Sequence, residues 1–94
     1  MLHIDLFGPS RTLSLGGKSY CLVCVDDFTR FTWVIFLSHK SDTFSAFSAL
    51  CKRIQNVISL AILNIRSDHG REFDNDEFIL FCNEHGIDHN FFAP

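Results

Sequence analysis

The chain predicts an α/β fold, a mixed five-stranded sheet with elements in the order βββαβαβ. Three observations carry this. Residues 2–37 hold apolar runs with the two-residue period and the β-branched, aromatic content of strands. Residues 41–58 switch to a period of three to four, that of a helix. Beyond them a strand-like run, a helix-like run and a second short strand-like run follow in turn, the pattern of parallel crossovers.

The first strand is residues 2–7, with Leu2, Ile4 and Leu6 on one face and His3, Asp5 and Phe7 on the other. Gly8-Pro9-Ser10 breaks it, and Gly16-Gly17 closes the loop that leads to the next strand. Residues 19–26 form a near-continuous apolar run, expected of a strand covered on both faces. Asp27-Phe28-Thr29-Arg30 turns the chain into residues 31–37, completing a three-stranded antiparallel meander. Ser41 or Asp42 is placed to cap the first helix, whose apolar face is Phe44, Phe47, Leu50, Cys51, Ile54, Val57 and Ile58. Residues 60–66 give the fourth strand. The second helix opens on Asp74-Asn75-Asp76-Glu77, an Asp-x-x-Glu form of the capping box, buries Phe78, Phe81 and Cys82, and ends at Gly86. Residues 87–92 make a short fifth strand.

At 94 residues the chain is at most one domain. A hydrophobic fraction of 47% with eleven phenylalanines argues for a packed core and against disorder. No apolar run is long enough to span a bilayer, and the first residues lack a basic region ahead of an apolar one, so an intracellular location is expected. Cys21, Cys24, Cys51 and Cys82 all lie in apolar runs and read as small buried hydrophobes. The net charge of -3, with its basic residues scattered, predicts weak or no DNA binding by this chain unaided, because phosphate contacts dominate such affinity.

Two aspartates stand out. Asp5 sits inside the first strand and Asp68 just after the fourth, where acidic residues are depleted. Burying an uncompensated carboxylate costs several kcal/mol, so a cation or a proton is expected there. A helical crossover makes strand 60–66 parallel to an earlier strand. If that neighbour is strand 2–7, Asp5 and Asp68 meet near the carboxyl ends of parallel strands, where open α/β sheets place their sites. Two adjacent carboxylates with open positions suit Mg²⁺ or Mn²⁺.

The motifs His3-x-Asp5-Leu6-x-Gly8-Pro9, Gly17-Lys18-x-Tyr20, Val25-Asp26-Asp27-Phe28-Thr29-Arg30-Phe31-Thr32-Trp33-Val34 and Ile65-Arg66-Ser67-Asp68-x-Gly70-x-Glu72-Phe73 occur in that order. With Phe81-Cys82-x-x-x-Gly86-Ile87-x-His89 and Pro94, they resemble the integrase catalytic core of Copia-type LTR retrotransposons over nearly the whole chain. The resemblance implies an RNase H-like fold and a two-metal polynucleotidyl transferase with three catalytic carboxylates. Asp5 and Asp68 would be the first two, both catalytic and metal-binding, with Mg²⁺ or Mn²⁺ as cofactor. It implies retrotransposon end DNA and target DNA as partners, and the nucleus as the parent integrase's place of work. In that family water trims the transposon ends, and the freed 3′-hydroxyls then attack chromosomal phosphodiesters.

The third family carboxylate would lie about 35 residues after Asp68, roughly ten beyond Pro94. Residues 1–94 are therefore expected to be a partial integrase core lacking the carboxy-terminal helices, inactive alone. His69 and Arg71 also stand where the family usually has Asn and Gly. Glu72, four residues after Asp68, is a candidate replacement ligand and otherwise a loop residue ahead of the second helix. An active small nuclease would need it. Asp26 and Asp27 read as turn residues. Cys21-x-x-Cys24 has redox or zinc spacing, but on a strand its thiols point to opposite faces. His85 and His89 straddle the Gly86 helix end and so lose helical ligand spacing, while His3 shares a face with Asp5 as a neutral, hydrogen-bonded histidine. A sheet without its carboxy-terminal helices would expose apolar surface. The alternative function is thus non-enzymatic: a retrotransposon-derived remnant acting as a self-associating interaction module, a possible homo-oligomer.

Overall fold

A computed structural model describes residues 1–10, 16–59 and 61–92. The elements are β1 (Leu2–Phe7), β2 (Tyr20–Asp26), β3 (Thr32–Leu37), α1 (Thr43–Val57), β4 (Asn64–Ser67), α2 (Asp76–His85) and β5 (Asp88–Phe91), with a single 3-10 turn, Lys40–Asp42, leading into α1. The expected order βββαβαβ is the observed one. The strands lie in the order β3-β2-β1-β4-β5, with β1–β2 and β2–β3 antiparallel and β1–β4 and β4–β5 parallel.

Register decides which side chains share a face. Ile4 pairs with Cys24, and Leu6 with Leu22, while Leu2 pairs with Ile65 across the parallel junction. These residues form one cluster with Phe47, Leu50, Cys51 and Ile54 of α1 and Phe78, Phe81 and Cys82 of α2. Both helices therefore pack on the same face of the sheet. Phe78 stands at the centre of an aromatic group, with ring centroids 5.1 Å from Phe47, 5.2 Å from Phe44 and 5.7 Å from Phe73. Such edge-on and tilted pairs add to the area they bury. The opposite face carries His3, Asp5 and Phe7 of β1 beside Val23 and Val25 of β2, and Asp5 and Phe7 are exposed.

Several boundaries differ from expectation. The fourth strand begins at Asn64 and ends at Ser67 rather than spanning 60–66; residue 60 lies outside the described residues, and 61–63 are not strand. Neither Ser41 nor Asp42 caps α1 through its side chain; instead Thr43 Oγ1 donates to the Lys40 carbonyl at 2.7 Å, tying the 3-10 turn to the helix. Val57 and Ile58 are exposed rather than core, because they line an open groove of about 330 Å³ between α1 and β3. The cap of α2 is Asn75, not Asp74: its Oδ1 accepts the Phe78 N–H at 3.0 Å. Gly86 ends α2 in the left-handed region at φ +65°, as a C-terminal glycine does at little cost. The family motif's final Pro94 lies outside the described residues.

Candidate metal site

The parallel β1–β4 junction builds the site. Leu2 aligns with Ile65 and His3 with Arg66. Counted on by two residues beyond the paired stretch, this register brings Asp5 level with Asp68, and the Asp68 charge acts on the Asp5 carboxyl. The alternation that sends Ile4 and Leu2 into the core turns Asp5 to the open face. Asp68 follows the last residue of β4, at the strand's carboxyl end.

The turn after β4 holds Asp68 in place. Its Oδ1 accepts the Gly70 N–H at 2.8 Å, a local side-chain-to-backbone turn. The Gly70 carbonyl then accepts from Phe73 N at 3.0 Å and Asp74 N at 2.8 Å. Phe73, fully buried, anchors the segment in the core. Space at Gly70 is tight against the tips of two side chains. A β-carbon there would lie 2.5 Å from Glu72 Oε1 and 2.9 Å from Asp68 Oδ1. Both oxygens thus lie close to one point beside Gly70.

Glu72 is the residue whose environment sequence reasoning missed. It is indeed in the loop ahead of α2, yet its side chain is only 10% exposed. Its Oε2 has no hydrogen bond and is balanced by Lys40 Nζ at 3.4 Å, from the turn before α1. The only signal in the sequence was the position of Glu72 four residues after Asp68; nothing marked Lys40 as its partner.

The electrostatics follow. Desolvation at the sheet surface is the main cause raising the Asp5 pKa above the ordinary carboxylate value. The Leu6 N–H opposes it, and the Asp68 and Glu72 charges add to it. Asp5 and Asp68 are both exposed, so the burial expected to force a cation or a proton onto them is not found; what remains is the proximity of like charges. Hard carboxylate oxygens from Asp5 and Asp68 have the donor chemistry for Mg²⁺ or Mn²⁺. Among the described residues, no group of three or more His, Cys, Asp or Glu side chains is arranged to hold a metal ion. The pair is thus chemically suited to a divalent cation, while a complete three-ligand set is not assembled.

The other candidates have separate partners. His3 Nε2 lies 3.3 Å from Asp27 Oδ2. Asp26 Oδ2 accepts from Thr29 N at 2.8 Å and Thr29 Oγ1 at 2.7 Å, closing the β2–β3 turn. Cys21 and Cys24 pair with Phe7 and Ile4, on opposite faces of the sheet, and all four cysteines are buried free thiols. Burial pushes Cys24 and Cys51 up to about 12. His85 Nδ1 meets the Phe81 carbonyl at 2.9 Å, whereas His89 Nε2 meets Ser67 Oγ at 2.7 Å, so the two histidines face different elements.

A family model described as the integrase core domain matches residues 1–94. The chain is 31% identical over 94 residues to the retrovirus-related Pol polyprotein from transposon TNT 1-94 of Nicotiana tabacum, covering all of this chain and 7% of that protein. It is 31% identical over 88 residues to the transposon Ty1-NL2 Gag-Pol polyprotein of Saccharomyces cerevisiae, covering 92% of this chain and 5% of that protein. The transposon Ty1-LR3 Gag-Pol polyprotein of the same yeast matches to the same extent. The chain therefore spans less than a tenth of the length of these relatives.

Proposed function

This chain belongs to the integrase core domain family, and from that premise we propose that it is the metal-binding part of a DNA-integrating polynucleotidyl transferase. Its five-stranded α/β sheet is consistent with the RNase H-like core of that family. Asp5 and Asp68 are the proposed catalytic carboxylates and hold Mg²⁺ or Mn²⁺. The observation that supports this reading is the parallel β1–β4 register, which runs toward Asp5 on one strand and Asp68 just past the end of the other.

A divalent cation bound there supplies Lewis acidity toward phosphoryl oxygens, in the family's case as a two-metal pair. The chain's own residues do the rest of what these 94 positions contribute. The Gly70 N–H fixes the Asp68 carboxylate before any ligand arrives, so little side-chain entropy is lost on binding. β1 holds Asp5 in register with Val23 of β2 on one side, two residues past the stretch of β1 that pairs with β4. Retrotransposon end DNA and target DNA are the proposed substrates, with the nucleus as the place where the parent integrase meets chromosomal DNA. With a net charge of -3, these residues do not hold the polyanion by themselves; other parts of such a polyprotein would. The 94 residues alone, with two of the three family carboxylates, are proposed to be inactive: losing one member of a catalytic set costs ~10³ or more in rate.

Isothermal titration tests the site. The wild-type chain is expected to bind Mn²⁺, and an Asp5→Asn/Asp68→Asn double variant to lose that binding. Unchanged binding in the double variant would remove the shared site. Incubated with labelled oligonucleotides and Mg²⁺, the chain should give no cleavage product; product formation would instead support an active small nuclease. A second reading, an interaction module formed by self-association, draws on the exposed apolar side chains Phe7 and Val34 and requires no metal.

A further inference from the structure

Glu72 and Lys40 are not explained by packing alone. Glu72 is nine-tenths buried, and its Oε2 has no hydrogen bond. A buried carboxylate left without compensation is strongly disfavoured, and a solvent-facing glutamine or alanine would avoid the cost. Among the described residues the Lys40 ammonium, itself 58% exposed, is the cation that stands against it, at 3.4 Å. The other oxygen, Oε1, approaches the same point beside Gly70 as Asp68 Oδ1. One end of this side chain thus faces a proposed cation ligand, and the other faces a cation of the protein. Lys40 belongs to the turn before α1 and Glu72 to the turn before α2, so the pair also joins two segments 32 positions apart that no strand pairing connects.

We propose that Lys40 and Glu72 form a counter-charge pair that sets the cation affinity of the Asp5–Asp68 site, with Glu72 as the positioning residue and Lys40 as its neutralising partner. The proposal rests on the metal-site reading above. It differs from the replacement-ligand idea, because Glu72 acts through charge and through Asp68 rather than by coordinating the ion. With both members present, the pair adds no net charge to the site. Removing one changes the local charge by one unit, with opposite sign for the two partners. A simple structural clamp behaves differently: loosening either end would disorder the Asp68 turn and weaken binding in both cases.

Mn²⁺ titration of the 94-residue chain distinguishes these. Lys40→Met leaves Glu72 unneutralised and is expected to tighten Mn²⁺ binding roughly tenfold. Glu72→Gln, nearly isosteric, leaves the Lys40 charge beside the site and is expected to weaken it by a similar factor. The Lys40→Met/Glu72→Gln double variant should return near the wild-type affinity, and Lys40→Arg should match wild type. Raised salt should shrink both single-variant effects, since Lys40 is largely in solvent. Loss of affinity in both single variants would overturn the proposal in favour of a clamp, and no change in either would overturn it outright. If the wild type binds no Mn²⁺, or binds it equally well as Asp5→Asn/Asp68→Asn, the metal-site reading falls and takes this one with it. If binding depends on the aspartates but is indifferent to Lys40 and Glu72, this proposal alone falls. Lys40 is exposed and Glu72→Gln preserves shape, so far-ultraviolet circular dichroism of all variants should overlay.

Discussion

Asp26 and Asp5 are both acidic residues on strands, and the protein treats them in opposite ways. Asp26 is buried at the end of β2, where one carboxylate oxygen takes two hydrogen bonds from Thr29. The Thr29 hydroxyl, foremost, holds its pKa below the ordinary carboxylate value. The native state thus favours the ionised form more than the unfolded chain does. The resulting stability is complete above the ordinary carboxylate pKa of about 3.9 and is lost as pH falls through the lower folded value. Asp26→Asn keeps an acceptor but cannot ionise. Its unfolding free energy in urea should lie below wild type near neutral pH, by about 1 kcal/mol, and the gap should close in strong acid. A gap independent of pH would refute this account. Among the described residues the Leu6 N–H is the donor that Asp5 has, and desolvation, foremost, moves its pKa up. That contrast was legible in sequence as far as location: Asp26-Asp27 precede a Thr-Arg turn, whereas Asp5 interrupts an apolar alternation. The Glu72–Lys40 pair was not legible, because it depends on how two loops fold over one another rather than on any period or spacing.

The helices show which parts of an element the sequence determines. Apolar spacing placed the buried face of α2 correctly, because Phe78, Phe81 and Cys82 must meet the sheet whatever the exact start. It did not locate the cap, since Asp74 and Asn75 are both good capping residues and only the backbone selects between them. Asn75 adopts the extended conformation at φ -150°, ψ 169° and accepts from Phe78 N, while its amide also donates to the Arg71 carbonyl at 2.6 Å. Asn75→Ala should therefore cost about 1 kcal/mol in denaturant unfolding, and Asp74→Ala clearly less. Equal costs would return the cap to Asp74. Phe78→Ala, which removes a ring contacting Phe44, Phe47 and Phe73, should cost about 3–5 kcal/mol. In α1 the same spacing argument overreached at its end. Val57 and Ile58 continue the apolar period, but the groove beside β3 leaves them in solvent. Periodicity reports which face a side chain is on, not whether a partner reaches that far along the axis.

For the whole molecule, the two edges and the open face of the sheet set its behaviour in solution. β5 is one edge, and its Asp-His-Asn run is polar enough to discourage strand addition. β3 is the other edge, and its Thr-Trp-Val-Ile-Phe-Leu has no charge and no proline. On the open face Phe7 is 51% and Val34 50% exposed, with Phe36 and Val25 half-buried nearby. An uncharged edge strand flanked by apolar side chains is a template for pairing with another chain, and a second copy offers a matching edge. The interaction-module reading therefore predicts self-association through β3, with no role for a metal. Analytical ultracentrifugation over increasing protein concentration should show a weight-average mass rising above the 10.8 kDa monomer. Val34→Lys, which puts a charge on the open side of the edge strand, should restore the monomer, while Asp5→Asn/Asp68→Asn and added chelator should leave the association unchanged. Association that disappears with chelator would tie the interface to the metal site instead. A monomer at every concentration would remove the interaction-module reading and leave the Asp5–Asp68 site as the one functional proposal to test.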